Sequence, residues 1–414
     1  MKVLGIVAEY NPFHNGHLYH LEESMRVTGA THSVAVMSGN FMQRGEPSIV
    51  NKWARAEMAI KAGVDLVIEL PVVYACRSAE AFAMGALNIL DGIGTVNCIC
   101  FGSESGDLHG LEHISAILAE EPEGFKDHLK TFLSKGQSFP SARGNALEKY
   151  LGPSAEGLRR LLLSPNNILA IEYLKAIKRL GSRIEAFTIK RFAADYHSTS
   201  INSSIAGASA IRKQILKRNS LTKKATMSIP KTTSGVLKRE LVMGRGPVYS
   251  DRFSLPVIAE IRKLKGEDLK KYPEVTEGLE NRILSAAREN ITITDMLKQI
   301  KTKRYTHTRI RRISTYIMLG IYKDLLEQLK QQKYPCYARV LALNTKGREI
   351  LKKANDRSCI PIITKASHYS FGENSPLPEI FQRDILATDL YVMGYFNGEY
   401  AFAGQDFVTS PVYL

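Results

Sequence analysis

The stretch VLGIVAEYNPFHNGHLYHL, residues 3–21, passes from an unbroken apolar run through a polar turn into a helical pattern. Residues 2–10 read as a buried strand, since aliphatic and β-branched residues dominate without alternation. Asn11 and Pro12 mark a turn, and a helix follows from about Gly16 to Val27. Two histidines three apart, His14 and His17, with Gly16 between them, stand where strand hands over to helix. The composition predicts only about 0.02 chance occurrences of H-x-G-H in a chain of this length.

The alternation continues. HSVAVMSG, DLVIELPV, NCICFGSE and SRIEAFTIKR read as further strands, separated by helical stretches such as NKWARAEMAIKAG and SAEAFAMGALNIL. Strands separated by helices of ten or more residues imply right-handed βαβ units and a parallel sheet, an α/β fold. After about residue 210 the period becomes helical throughout, as in TEGLENRILSAAREN and RIRRISTYIMLGIYKDLLEQL. Beyond Tyr334, YARVLALN is strand-like, KGREILKKAN helical and SCIPIITK extended. The Lys-, Thr- and Ser-rich stretch 219–250 reads as an exposed, mobile linker.

The 414 residues carry a formal net charge of +15. Residues 211–330 hold 27 Lys and Arg against 12 Asp and Glu, which is the whole excess, and the remainder balances. A cationic excess confined to one segment points to a polyanion partner. No run approaches the length of a membrane span, and no cleavage pattern follows the first apolar stretch, so a cytoplasmic protein is expected. The five cysteines form no C-x-x-C pair, which argues against a zinc site or a disulfide framework and for buried, reduced thiols.

In an open parallel sheet, ligands gather at the carboxyl ends of the strands. Residues 11–17 fall at that edge, at the start of a helix, where backbone N–H groups favour phosphate. His14 and His17 then have the spacing to reach the same phosphate oxygens. No third histidine or carboxylate stands beside them at ligand spacing, so no metal site is expected. A capped turn with one packed histidine is the structural alternative.

NPFHNGHL resembles the HIGH motif of the nucleotidyltransferase superfamily, and AGASAIRK at 206–213 resembles that superfamily's second signature. There Ser209 stands for its Thr and Arg212 matches its Arg, while Ala206 and Gly207 depart from the pattern. The longer strings VAEYNPFHNGHLYHL, AVMSGNFMQRGEPSIVNKWARAEMAIKAGVDLVIELP, FGSESGD and SPNNILAIEYL are similar to the bacterial tRNA(Met) cytidine acetate ligase family. The likeness runs through about residue 215 and continues more weakly to the end.

This resemblance implies a Rossmann-like nucleotidyltransferase domain over 1–215, a basic, mainly helical tRNA-binding domain over 216–333 and a mixed α/β segment over 334–414. It implies ATP, with Mg²⁺ as a possible companion, and acetate and elongator tRNA(Met) as partners, with no membrane and no stable protein partner. Acetate would be activated as acetyl-adenylate, releasing pyrophosphate, and the acetyl group passed to N4 of the wobble cytidine. The nucleotide would lie on the turn formed by Val7, Ala8, Glu9, Tyr10, Asn11, Pro12, Phe13, His14, Asn15, Gly16, His17, Leu18, Tyr19 and His20. His14 and His17 would be catalytic, and Gly102, Asn166, Asn167, Arg191, Ser209 and Arg212 would also contact the nucleotide. Gln43, Arg44 and Glu46 are candidates for acetate or a lid. Lys52 and Arg55 are expected to touch tRNA, as are Lys303, Arg304, Arg309, Arg311 and Arg312 in KTKRYTHTRIRR, where cations alternate with Tyr305 and His307. Two other activities fit the motif: an adenylyltransferase acting on a small phosphorylated cofactor precursor, and a nucleotide-regulated RNA-binding protein without chemistry.

Overall fold

A computed structural model describes residues 1–137, 139–152, 161–162, 164–191, 206–302, 304–371 and 375–414. Its strands are β1 (Val3–Ala8), β2 (His32–Ser38), β3 (Leu66–Leu70), β4 (Cys98–Ser103), β5 (Glu185–Lys190), β6 (Ala338–Leu343), β7 (Ile362–Ile363) and β8 (Val412–Tyr413). They form one sheet in the order β5-β4-β1-β2-β3-β6-β7, with β8 also on β6. Every pairing is parallel except β3 with β6. The five strands expected before residue 200 are all present, so the chain is α/β. Strand order reverses between β1 and β4, which makes the carboxyl end of β1 the switch point of the sheet.

The helices that frame the site are α1 (Asn15–Thr28), α2 (Lys52–Lys61), α3 (Ala79–Gly92), α4 (Pro165–Leu180), α5 (Ala208–Arg218), α6 (Lys223–Met227), α7 (Lys231–Val242), α8 (His307–Leu319) and α9 (Leu377–Val392). Alternate strand residues feed two cores. Val3, Val34, Val36, Leu66 and Ile68 pack with α3, α4 and α9 on one face. Leu4, Ile6, Ala35, Met37 and Val67 pack with Phe13, Trp53, Ile211 and Leu237 on the other. Coverage on both faces is why β2 and β3 are buried at every residue and read as continuous apolar runs.

Two expectations need correction. The stretch 219–250 is not a mobile linker, because it contains α6 and α7. Ile229, Thr233, Val236, Leu237 and Glu240 recur at helical spacing and are buried, and the polar residues between them occupy the outer face. The cysteines are only partly as expected: Cys76, Cys98, Cys100 and Cys336 are buried, but Cys359 is exposed. Among the described residues, no helix is long and apolar enough to cross a membrane, and the stretch 206–331 carries helices and no strand.

Residues 339 and 406 are tied to α2 and β3 through buried charge. Lys52 Nζ lies 2.9 Å from both carboxylate oxygens of Glu69 and 2.7 Å from Asp406 Oδ1. Arg339 of β6 lies 2.5 Å from Asp406 and 3.5 Å from Glu69. All four side chains are buried, and the two cations balance the two anions. Removing one member of such a set leaves a desolvated charge uncompensated. Lys52→Met is therefore expected to lower stability by about 3–5 kcal/mol, read from the urea unfolding midpoint. A variant of parental stability would restore Lys52 to the surface role expected of it.

Candidate active site

Beyond Ala8 the chain bends sharply. Tyr10 takes a left-handed φ of 46°, and the Asn11–Pro12 peptide is cis. His14 is the extended N-cap of α1. Its ring Nδ1 accepts the N–H of Gly16 at 3.0 Å, and the ring Nδ1 of His17 accepts the N–H of His14 at 3.2 Å. A backbone N–H can only donate, so both Nδ1 atoms are unprotonated, and each neutral ring carries its hydrogen on Nε2. The rings stack with centroids 3.7 Å apart, and Tyr10 and Phe13 pack against His17.

The electrostatics keep the rings neutral. Burial pushes His14 down to about 3, and the positive charges of Arg191 and Arg212 push the same way. His17 is lowered well below the usual imidazole range by burial, then by His14, Arg191 and His20. His20 falls to about 4 through burial and Arg191. The expected anion site of free N–H groups at the α1 N-terminus is not what forms. The N–H of Gly16 goes to His14, and the N–H of Asn15 goes to the Ser228 carbonyl at 3.0 Å. What the turn offers an anion instead is a pair of Nε2–H donors.

Asn11 lies beside them, almost fully buried. Its Oδ1 accepts the N–H of Ile49 at 2.8 Å, and its carbonyl accepts from Arg212 at 2.8 Å. Its Nδ2 has no partner among the described residues. Arg212, on the first turns of α5, also reaches Ser209 Oγ at 3.4 Å and Glu46 at 3.3 Å. The first turn of α5 holds no acidic residue, and its N-cap Gly207 provides no side-chain cap. Arg191 follows β5 and lies over Gly102, where a Cβ would sit 3.0 Å from the arginine Cγ. His14, His17, His20, Asn11, Arg191, Ser209 and Arg212 are thus brought to one edge, from three separate parts of the chain.

Other expected residues have different occupations. Asn167 is buried, and its Oδ1 accepts the N–H groups of Glu104 and Ser105 at 2.9 and 3.3 Å. Glu104 in turn accepts the Asn166 and Asn167 N–H groups and Asn166 Nδ2, so this carboxylate, rather than either asparagine, caps α4. Val7 and Ala8 complete β1, paired with Val36 and Met37. Glu9 accepts the Gln43 N–H, and Leu18 and Tyr19 pack on the core beneath α1. Asn15 Nδ2 donates to the Met227 carbonyl.

Lys52 and Arg55 are fully buried and cannot touch RNA. Arg55 donates to the carbonyls of Glu9 at 2.6 Å, Ser38 at 3.0 Å, Val50 at 3.3 Å and Gly39. It thereby ties together the ends of β1 and β2, and their loop, at the site's edge. In the basic helix, Arg312 is paired with Glu274 at 2.7 Å, and Arg309 donates to the Glu274 carbonyl and to Thr276. Arg304 meets Glu277, and Arg311 meets Glu46. Lys303 lies outside the described residues. Glu46 thus bridges Arg212 and Arg311. The loop holding it is pinned to α8 at Gly45, where a Cβ would fall 2.5 Å from the Arg312 nitrogen. Glu104 and Ser228 were not among the expected site residues, because their roles depend on contacts distant in sequence.

The sequence profile of the HIGH Nucleotidyl Transferase family matches residues 1–405. A tRNA(Met) cytidine acetate ligase of Acetivibrio thermocellus is 48% identical over the full length of both chains. One from Caldanaerobacter subterraneus subsp. tengcongensis is 47% identical, covering 98% of each chain. The crystal structure of Thermotoga maritima TmcAL bound with alpha-thio ATP superposes with a TM-score of 0.93 at 37% identity over 100% of both chains.

The depressed imidazoles fix a pH dependence. The unfolded chain takes up protons near pH 6.5, whereas folded His14 stays neutral until about pH 3. Lowering the pH from 7 toward 4.5 therefore favours the unfolded state. Asn is also a good N-cap, so His14→Asn keeps the cap and removes the titrating ring. The variant should lose about 2 kcal/mol less stability than the parent between pH 7 and 4.5, measured by urea unfolding at each pH. Parallel curves for the two proteins would mean that His14 is not held neutral.

Proposed function

The chain belongs to the HIGH nucleotidyltransferase family, within its tRNA(Met) cytidine acetate ligase branch, and from that membership and the geometry of the edge we propose that it acetylates elongator tRNA(Met). The reaction consumes ATP and acetate. One observation carries the reading: two stacked, neutral imidazoles with Nε2–H donors at the switch point of the sheet, in company with Arg191 and Arg212.

Acetate is a poor acyl donor, because its leaving group would be oxide. In the proposed first step an acetate oxygen attacks the α-phosphorus of ATP, and the bond to the β-phosphate bridging oxygen breaks. Acetyl-adenylate forms and pyrophosphate leaves. In-line displacement of this kind needs positioning and neutralisation of developing charge more than covalent help. His14 and His17 would donate to the phosphate oxygens without carrying a charge of their own. Asn11 Nδ2, which is buried and otherwise without a partner among the described residues, is a third donor for the same group. Arg212 and the uncapped start of α5 suit the departing pyrophosphate. In the second step N4 of the wobble cytidine attacks the acetyl carbonyl carbon, one N4 proton is released, and AMP leaves.

In this reading magnesium comes with the triphosphate rather than from a protein cage. Among the described residues no group of three His, Cys, Asp or Glu side chains could hold an ion.

The test incubates the protein with ATP, radiolabelled acetate and elongator tRNA(Met), then digests the RNA. Label should appear in N4-acetylcytidine, and acetate-dependent exchange of pyrophosphate into ATP should be measurable. His17→Asn should reduce that exchange by roughly a hundredfold or more. Exchange that depends on a phosphopantetheine-like acceptor instead of acetate, or full activity in the His14→Asn/His17→Asn double variant, would overturn the reading.

A further inference from the structure

Arg304, Arg309, Arg311 and Arg312 are engaged with groups of the chain itself, whereas, among the described residues, a row of lysines on α6 and α7 is not. Lys223 and Lys224 on α6, and Lys231 and Lys238 on α7, are exposed. Among the described residues none of these four has a carboxylate within 4.0 Å. The row passes beside the imidazole turn, because Asn15 bonds to the carbonyls of Met227 and Ser228 between α6 and α7. It ends at a cavity of about 250 Å³ between the start of α2, the end of α7 and the segment 400–412.

The cavity walls include Trp53, Arg239, Glu240, Arg245, Tyr400 and Phe402. Phe402 is 52% exposed, and among the described residues it has no aromatic neighbour. The Arg245 guanidinium lies over the Tyr400 ring at 5.2 Å, held by Glu240 at 2.6 Å. A second arginine–aromatic stack, Arg252 on Phe396 at 4.5 Å, has its ring 46% exposed. The acids here are already matched, Glu57 by Lys61 and Arg239, and Glu240 by Arg239 and Arg245. The cavity is near the chemistry. Asn51 on its wall is two residues, roughly 7 Å of chain at most, from Ile49, whose N–H binds Asn11.

Aromatic faces beside unmatched cations are how proteins hold unpaired bases and the phosphates between them. We propose that this cavity holds an unpaired nucleobase of the RNA substrate, stacked on Phe402 and Tyr400, while the lysine row of α6 and α7 tracks the adjoining phosphates. The inference rests on the tRNA reading above and adds where the anticodon loop lies. The loop crosses from the imidazole turn along α7 to the segment 400–412.

The test measures the dissociation constant for elongator tRNA(Met) by filter retention, and acetate-dependent pyrophosphate exchange separately without tRNA. Phe402→Ala should weaken tRNA binding roughly tenfold. Lys231→Glu/Lys238→Glu should weaken it at least as much and flatten its salt dependence. Both substitutions are at exposed positions, and exchange should keep the parental rate. Parental tRNA affinity in both proteins overturns the proposal. So does Phe402→Ala with parental affinity and an altered mass by light scattering, which would make the face a contact between copies of the chain. A parental enzyme that binds tRNA yet performs no exchange refutes the proposed reaction and leaves this binding test intact.

Discussion

Two backbone N–H groups at the head of α1 decide what the site can do. Each is taken by an imidazole Nδ1, so neither ring is free to choose its tautomer and neither can charge without breaking a cap. The polar edge left over on each ring is an Nε2–H. A pair of lysines in the same place would bring fixed charge and flexible stems. The stacked imidazoles bring two donors in a set geometry, and Arg191 and Arg212 supply positive charge from β5 and α5. Donor positioning and charge neutralisation are thus divided between different residues. Such division suits a reaction whose negative charge moves from the α-phosphate to a leaving pyrophosphate.

That geometry needs a rigid floor, and buried cations supply it. Arg55 draws the carbonyls of Glu9, Ser38, Gly39 and Val50 to one guanidinium, so the ends of β1 and β2 and the loop after β2 cannot drift apart. Lys52, three residues earlier, faces the other way into Glu69 and Asp406. The first turn of α2 therefore joins the edge that holds the imidazoles to Asp406. Buried ion sets are a costly way to gain stability compared with apolar packing. Their effect here is positional, since the partners come from β3, β6 and residue 406, far apart in sequence.

The strand–helix alternation, the parallel sheet and the imidazole turn were all legible in the sequence, because each rests on periodicity or on residues adjacent in the chain. Charge was legible only in bulk. KTKRYTHTRIRR reads as an RNA-binding string, yet Arg309 and Arg312 are turned toward Glu274, and Arg311 toward Glu46, a residue 265 positions away. NKWAR likewise reads as a basic helix face, but both cations point inward. A linear pattern reports how many cations a segment has and not which already hold a carboxylate or a carbonyl. The stretch 219–250 failed for the complementary reason: Lys231, Thr232 and Lys238 lie on the outer face of α7, and such residues mask the spacing of the buried ones.

Glu46 connects these themes. It sits in the loop after β2, accepts from Arg212 on one side and from Arg311 on the other, and is held against α8 by Gly45 and by the Thr315 hydroxyl, 3.1 Å from the Gly45 carbonyl. Arg212 cannot serve Glu46 and an incoming phosphate with the same N–H groups. A polyphosphate at the edge therefore competes with Glu46 for Arg212, and whatever it displaces is shared with the basic helix through Arg311. The carboxylate also keeps two cations close together before any anion arrives, where they would otherwise repel. A single acidic side chain thus lets Arg212 and Arg311 stand side by side at low electrostatic cost, and it couples the edge of the sheet to α8.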